Sequence, residues 1–381
     1  MKIAYYCQHV LGVGHFHRSL EICRACAVDH DVTMVIGGPP VDVSAEPFSF
    51  FQLPGLKMDE QFSGLMPCDE TATLEATKTA RTERLLSFFQ DFAPDALILE
   101  LYPFGRKAFR FELTPLLEAA AQTSCRILCS LRDILVEKKE EQRKHEQRAV
   151  DTLNHYFDAL LIHSDPHLVT LDETFALTAS IQVPVQYTGF VTPRPAGNAR
   201  AEIRAALDLK PEEPLVVASI GSGSVGAELL QAVCEAARTL VDAAPCRFHL
   251  FTGSYCPPAV FEALAAHALE RLVVERFSRN FPDWLAAADL SVSMAGYNTS
   301  MNIVAAGVPA LMLPFDQNRE QRLRLTRLTR SHPIMLLETE DLRAERLVPL
   351  IKAQWDTPRY QTGLSLDGAA QTARYLQVLR P

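Results

Sequence analysis

No stretch of this 381-residue chain approaches the roughly 20 consecutive apolar residues that a membrane-spanning helix needs, so no span is expected. Basic charge is also in deficit. A formal net charge of -9 and a pI near 5.7 argue against a nucleic-acid partner, because phosphate backbones are met by a basic field. The apolar start Met1-Lys-Ile-Ala-Tyr-Tyr-Cys is broken early by Gln8, His9 and a glycine turn, so it lacks the apolar core of a secretory signal. A cytoplasmic protein is therefore expected. Nine cysteines, an odd number scattered along the chain, suit reduced thiols better than a disulfide framework. Cys23 and Cys26 form a CxxC inside a helical pattern with no second pair at metal spacing, which reads as packed thiols. The one DxD match, Asp29-His-Asp31, precedes a strand at an ordinary turn, and no metal site is expected. Internal repeats and low-complexity segments are absent as well.

What is present is a composition, 48% hydrophobic, that can fill the cores of two or three domains. Short apolar runs alternate with amphipathic ones from the start. Strands are expected at 2–7, 32–36, 96–99, 126–130 and 159–162, and helices at 19–27, 106–122 and 137–148; the last mixes both charge signs and reads as a solvated face. At Thr192-Pro-Arg-Pro-Ala-Gly-Asn the pattern breaks into a linker. The alternation then restarts, with strands at 215–220, 248–252, 272–275, 290–293 and within 309–314, and helices at 227–240, 259–267, 281–287 and after Gly296. Strands alternating with helices imply parallel sheets, hence two α/β halves joined near residue 192.

Three turns carry chemistry. Gly12-Val-Gly14-His15-Phe-His17-Arg18 stands where the first strand gives way to a helix, and glycines there let the main chain approach a ligand. Gly221-Ser222-Gly223-Ser224-Val-Gly226 matches a dinucleotide fingerprint in spacing and context, yet the next strand ends in Gly253 where a ribose-binding carboxylate is required. A structural tight turn or a phosphate cradle made of helix-terminal amides remains. Gly296-Tyr297-Asn298-Thr299 opens another helix; its small polar side chains cap the helix or, with the Gly221 turn of the same half, neutralise a diphosphate without a metal. Glu320 and Gln321 stand at a further helix start, as capping partners or as ligands for sugar hydroxyls. Glu100, Tyr102 and Arg106 follow one strand and Arg132 and Asp133 another, as acceptor-side contacts or as ion pairs that tie helices together.

These residues, with Ala-Ala-Gly-Val-Pro-Ala at 305–310 and Arg-Glu-Gln at 319–321, resemble the nucleotide-sugar domain of GT-B glycosyltransferases, the peptidoglycan enzyme family that adds N-acetylglucosamine to lipid I among them. Over nearly its whole length the chain is similar to bacterial predicted glycosyltransferases with a Gly-x-Gly-His-x-x-Arg start, a Glu-Leu-Tyr-Pro-Phe-Gly-Arg stretch (100–106 here) and a Leu-Arg-Asp-Ile-Leu stretch (131–135 here). The resemblance implies an α/β GT-B architecture, two Rossmann-like domains facing each other across a cleft. An acceptor domain would occupy 1–191 and a donor domain 200–360, and a helix within 361–381 would pack back on the first domain. It further implies a nucleoside diphosphate sugar, foremost a uridine diphosphate sugar, as co-substrate in place of any cofactor.

In such enzymes Gly14, Gly221 to Ser224 and Gly296 to Thr299 would meet the donor, Arg276 and Phe277 the base, and Glu320 with Gln321 the sugar. His15 would be the general base, its ordinary pKa near 6.5 suiting proton removal from an attacking hydroxyl in an inverting, metal-independent transfer. His17 ranks below it, and Arg18 would bind a phosphate or an acidic acceptor. Many relatives carry a glutamate for the ribose hydroxyls where this chain has Asn302. The acceptor would be lipid-linked or a small molecule, with Phe62, Leu65 and Met66 of a loop at 56–65 as a lipid or peripheral membrane contact. Two other readings share the architecture: a nucleotide-sugar hydrolase of the nonulosonic-acid type, in which the same base activates water, and a non-catalytic nucleotide-sugar sensor.

Overall fold

The computed structural model describes residues 1–9, 14–58, 64–135, 141–315 and 319–379. The chain divides into one unit made of Met1–Val191 with Leu364–Pro381 and a second made of Thr192–Gly363. In the first unit, β1 (Lys2–Tyr6), β2 (Asp31–Ile36) and β3 (Ser49–Gln52) are followed by a small antiparallel pair, β4 (Leu56–Met58) and β5 (Leu65–Pro67). Next come β6 (Ala96–Glu100), β7 (Arg126–Arg132), β8 (Ala159–His163) and β9 (Val185–Tyr187). All but the small pair join one seven-stranded parallel sheet in the order β3-β2-β1-β6-β7-β8-β9. Its helices are α1 (Gly14–Cys26), α2 (Leu74–Phe92), α3 (Arg110–Ala120) and α4 (Gln142–Tyr156). β6 and β8 are buried at every residue, as parallel strands covered on both faces must be.

The second unit repeats the plan. It runs α5 (Ala199–Ala206), β10 (Leu215–Ser219), α6 (Ala227–Ala243), β11 (Arg247–Phe251), α7 (Pro258–Ala265), β12 (Leu272–Glu275), α8 (Phe281–Ala287), β13 (Leu290–Met294), α9 (Tyr297–Ala306), β14 (Ala310–Leu313), α10 (Arg319–Leu328), β15 (Ile334–Leu336) and α11 (Ala344–Gln354). The six strands form a parallel sheet in the order β12-β11-β10-β13-β14-β15. The chain then returns to the first unit, where α12 (Gly368–Val378) packs along α1. Ser365 accepts from the Phe190 amide at 2.8 Å and donates its own amide to Asp165 at 2.7 Å, which fixes the returning segment.

Several local expectations change. Helix α1 starts at Gly14 rather than near residue 19, so His15, His17 and Arg18 lie on the helix and not in the turn before it. The helix expected over 106–122 is broken at its start, because Arg106 adopts a left-handed φ of 58° and a 3-10 turn, Lys107–Phe109, precedes α3. The helix expected at 137–148 is observed as Gln142–Tyr156; residues 136–140 lie outside the described residues. The expected loop at 56–65 contributes to the β4–β5 pair, with Leu65 and Met66 in a strand, while Phe62 falls outside the described residues.

Helix α2 escaped the sequence reading because the residues it buries in its first half are Thr77 and Arg81, which no apolar periodicity flags. Thr73 caps it by accepting from the Ala76 amide at 3.2 Å. Arg81, fully buried, donates to both oxygens of the equally buried Glu112 at 2.8 and 2.6 Å, to the carbonyls of Gly37 and Pro54 at 2.9 and 2.6 Å, and to Gln8 at 3.0 Å. Tyr6 donates to the same carboxylate. One guanidinium therefore ties together the chain leaving β1, β2 and β3. Arg81→Met leaves Glu112 charged and buried without its guanidinium, and should cost about 3–5 kcal/mol in urea unfolding. A loss under about 1 kcal/mol would mean that water reaches the pair.

Candidate active site

In the first unit β1 has β2 on one side and β6 on the other, so the connections diverge there and leave a crevice at the carboxyl ends. The residues that end β6 and open α1 meet at this point. Glu100, the last residue of β6, is fully buried, and His15, in the first turn of α1, keeps 27% of its side chain exposed. His15 Nδ1 lies 2.6 Å from Glu100 Oε1. A carboxylate only accepts, so Nδ1 carries the proton, and the tautomer follows from this bond. Arg18, one helical turn on, donates from Nη2 to the same Oε1 at 2.7 Å; Arg106 donates to Oε2 from Nε at 3.1 Å and Nη2 at 2.7 Å. The loop between β6 and Arg106 doubles back, with the Gly105 amide bonded to the Leu101 carbonyl at 2.8 Å. His15 Nε2 has no hydrogen-bond partner among the described residues.

Electrostatics follow from this arrangement. Burial alone would raise the Glu100 carboxyl, but the His15 bond and the charges of Arg106 and Arg18 outweigh it and hold it well below the usual carboxylate range. Burial pushes the His15 imidazole down to about 4; Glu100 opposes the fall, and Arg106 and Arg18 add to it. At neutral pH His15 is an uncharged ring with one free lone pair. Beneath it runs a buried chain that the sequence did not reveal: Tyr5 to Ser130 at 2.9 Å, Ser130 to His163 Nε2 at 2.7 Å, and His163 Nδ1 to Thr188 at 2.8 Å. Its only sequence signal is a histidine closing an otherwise apolar strand.

The other first-unit candidates are placed differently. Tyr102 is buried in the apolar core, and Asp133 is fully buried beside Arg132 at the end of β7. His17 is exposed, with its ring near Phe16. Gly14 is the first residue of α1, and Gly12 lies outside the described residues. Cys23 and Cys26 are buried thiols pushed up by that burial, Cys26 to about 12, so they stay protonated. Asp29 accepts from Gln377 at 2.8 Å.

In the second unit the strand order diverges between β10 and β13, and the two polar turns leave these strands. Gly223 and Gly253 have φ of 95° and 86° and pack backbone on backbone: a Cβ on Gly223 would strike the Thr252 carbonyl, and one on Gly253 the Ser222 carbonyl carbon. The Tyr255 amide donates to the Ser222 carbonyl at 2.8 Å, which leaves Tyr255, a residue the sequence reading missed, 47% exposed beside the turn. The amides of Ser222, Gly223 and Ser224 donate to no backbone oxygen among the described residues and precede α6. A Cβ on Gly221 would lie 3.8 Å from Thr299 Oγ1, so the start of α9 lies near the Gly221 turn; a Cβ on Gly296 would meet open space. Tyr297 is buried under Arg324, whose guanidinium lies 5.3 Å from its ring, and Asn298 is half-buried. Ser300 Oγ is buried with no partner among the described residues.

Around these turns, Arg276 donates to the Cys256 carbonyl at 3.0 Å and lies 4.1 Å from the Phe261 ring, and Phe277 is 51% exposed. The Asn302 oxygen accepts from the Thr192 hydroxyl at 2.7 Å, and the amide NH2 has no hydrogen-bond partner among the described residues. Glu320 is buried at the start of α10. Gln321 accepts from the Phe315 amide at 2.9 Å through its oxygen, a capping use that leaves its NH2 and the oxygen's second lone pair for a ligand. Glu100→Gln should move the His15 titration midpoint below its parental value near 4, since the charge opposing two guanidiniums is gone. A midpoint at or above the parental one, read by NMR of histidine-labelled protein, would remove Glu100 as the group that opposes the fall.

Residues 217–362 match the glycosyltransferase family 28 C-terminal domain. The UDP-N-acetylglucosamine--N-acetylmuramyl-(pentapeptide) pyrophosphoryl-undecaprenol N-acetylglucosamine transferase of Halalkalibacterium halodurans is 28% identical over 237 residues, which are 61% of this chain and 62% of that relative. The chain thus matches a little over three fifths of that curated relative's length. Among solved structures, a UDP-glucosyltransferase from Polygonum tinctorium superposes with a TM-score of 0.63 at 15% identity, covering 99% of this chain and 93% of that one. MurG of Acinetobacter baumannii gives 0.56 at 14% identity, covering 98% and 95%. The chain is accordingly a GT-B protein related to the lipid I N-acetylglucosaminyltransferase family, with a family 28 C-terminal domain in its second unit.

Proposed function

We propose that the chain is an inverting, metal-independent glycosyltransferase that moves a sugar from a nucleoside diphosphate sugar, foremost a uridine diphosphate sugar, to an acceptor hydroxyl. The observation that carries the reading is His15: Nδ1 is committed to a buried carboxylate, Nε2 has no hydrogen-bond partner among the described residues, and 27% of the side chain is exposed. Such a ring takes the acceptor hydroxyl proton on Nε2 while the oxygen attacks the anomeric carbon, and Glu100 stabilises the imidazolium that forms. The bond from the anomeric carbon to the diphosphate oxygen breaks with its electrons. The negative charge that develops on the leaving nucleoside diphosphate is met by the amides of Ser222, Gly223 and Ser224, which donate to no backbone oxygen among the described residues, and by the α6 and α9 starts, fixed dipoles that need no reorganisation. The relatives' pyrophosphoryl-undecaprenol acceptor supports a lipid-linked acceptor here, and the donor in their name supports a uridine nucleotide.

His15→Ala should lower turnover by about 10² to 10⁴ and leave donor affinity within a few-fold of the parent, as loss of general-base assistance requires. Turnover near the parental rate would take His15 out of the mechanism. Incubation with a strong chelator should leave the rate unchanged, because backbone dipoles carry the charge that a divalent cation would otherwise offset. A deep loss reversed by added magnesium or manganese would overturn the metal-free part of the reading.

A further inference from the structure

We infer that Tyr5 is a positioning residue for the proton acceptor: its buried hydroxyl anchors Ser19 of α1 and so holds the first turn of that helix where His15 Nδ1 meets Glu100. This rests on the reading of His15 as the base. The first ground is the face of the helix. His15 and Ser19 are four residues apart on α1, so they share one side of it, about 6 Å apart along the axis. Ile22 and Cys26 continue that side and are buried in the apolar cluster that also holds Tyr5. Apolar contact has no direction and lets a helix slide or turn. The first half of the stripe is held instead by two polar links to the sheet, His15 to Glu100 on β6 at 2.6 Å and the Ser19 hydroxyl to Tyr5 on β1 at 3.3 Å. Two directed links one turn apart set both the rotation and the advance of the helix start.

The second ground is what holds the anchor. Tyr5, Ser19, Ser130, His163 and Thr188 are all buried. Polar side chains so deep are costly unless each is bonded, and here each is. Ser19 donates to Tyr5, so the Tyr5 proton goes to Ser130 at 2.9 Å, that of Ser130 to His163 Nε2 at 2.7 Å, and the proton on Nδ1 to Thr188 at 2.8 Å. Thr188 closes the line on the carbonyls of Gly189 and Ile162, at 3.3 and 3.4 Å. Burial, helped by Arg18 and opposed by Glu100, pushes His163 down to about 3, so the ring stays neutral; burial likewise holds the Tyr5 hydroxyl well above its usual range, so it keeps its proton. Ser130 is also the residue that β7 places opposite Glu100 in the sheet. The anchor is thereby fixed in the same frame as the carboxylate it has to match.

Slack at Ser19 lets the ring leave the carboxylate, and the proton is then no longer confined to Nδ1. The test is NMR of full-length protein with 15N-labelled histidine at neutral pH, the His15 signals being assigned through His15→Gln. The parent is expected to show His15 protonated on Nδ1 alone; a parent ring protonated on Nε2 overturns the proposal at the outset. Tyr5→Phe and Ser19→Ala each remove one hydroxyl, and both should shift His15 toward the mixture of tautomers of an unconstrained ring. Turnover should fall about 10- to 100-fold, as it does when a reacting group is displaced, with KM for the donor within about threefold of the parent. The variant carrying both changes should be no worse than either alone, because a single link is lost. An unmoved His15 tautomer in the single variants overturns the proposal whatever the melting temperature does, since a residue that only fills the core alters stability and not the ring. Additive losses in the double variant overturn it as well, by showing that the two hydroxyls act separately. Ser19→Ala puts a strong helix former inside α1, so it decides the matter even if Tyr5→Phe fails to fold. The tautomer is read without turnover, whereas the transferase reading fails by parental turnover in His15→Ala, so the two failures are distinct.

Discussion

A carboxylate taken out of water at the end of a central strand has to be compensated where it lies, and most of what surrounds Glu100 is that compensation. Arg18 reaches it from the helix that follows β1, Arg106 from a loop bent back through a left-handed residue, and His15 from the first helical turn. Each partner is held by the same two oxygens, so the orientation of the ring, the path of the loop and the angle of the helix start are one constraint expressed three times. A charged group this deeply enclosed adds little net stability, since desolvation offsets attraction. Its value is positional: it fixes which imidazole nitrogen bears the proton.

The second unit meets the opposite demand with different means. Where the first unit concentrates full charges, the turns after β10 and β13 present backbone dipoles and hydroxyls, held open by glycines that pack against each other. Dipoles fixed in a folded backbone cost nothing to orient when an anion arrives, and they carry no net charge to desolvate when it leaves. Both arrangements occupy the same topological place, the carboxyl end of a parallel sheet where the strand order diverges, which is where a doubly wound fold leaves its main chain unpaired.

Periodicity revealed those sheets, and proximity is what it could not reveal. The strand at 272–275 and the helix at 281–287 coincide with β12 and α8 to the residue, because short apolar runs and proline near a helix start are local signals. His15, Glu100 and Arg106 were each visible as polar residues beside a strand end, yet nothing in a linear pattern says that residues 85 apart share a proton. The same limit hid Arg81 and Glu112, a polar pair at the heart of the core, and the short edge strands β3 and β9, which have three or four residues and little burial to impose a pattern. The hydrogen-bonding state of Asn302 and Gln321 is another matter of proximity: their identities stand in the sequence, but which atoms are already taken is decided by Thr192 and the Phe315 amide.

The return of the chain to its first unit has a consequence for how the molecule is made. Helix α12 covers α1, and Leu376 shares an apolar cluster with Phe16 and Leu20, on the helix that carries His15 and Arg18. During vectorial synthesis α1 emerges before its cover, with the whole second unit delivered in between. The apolar back of α1 therefore waits uncovered while residues 192–363 are made, and the seat of the proposed proton acceptor is closed only when α12 follows them.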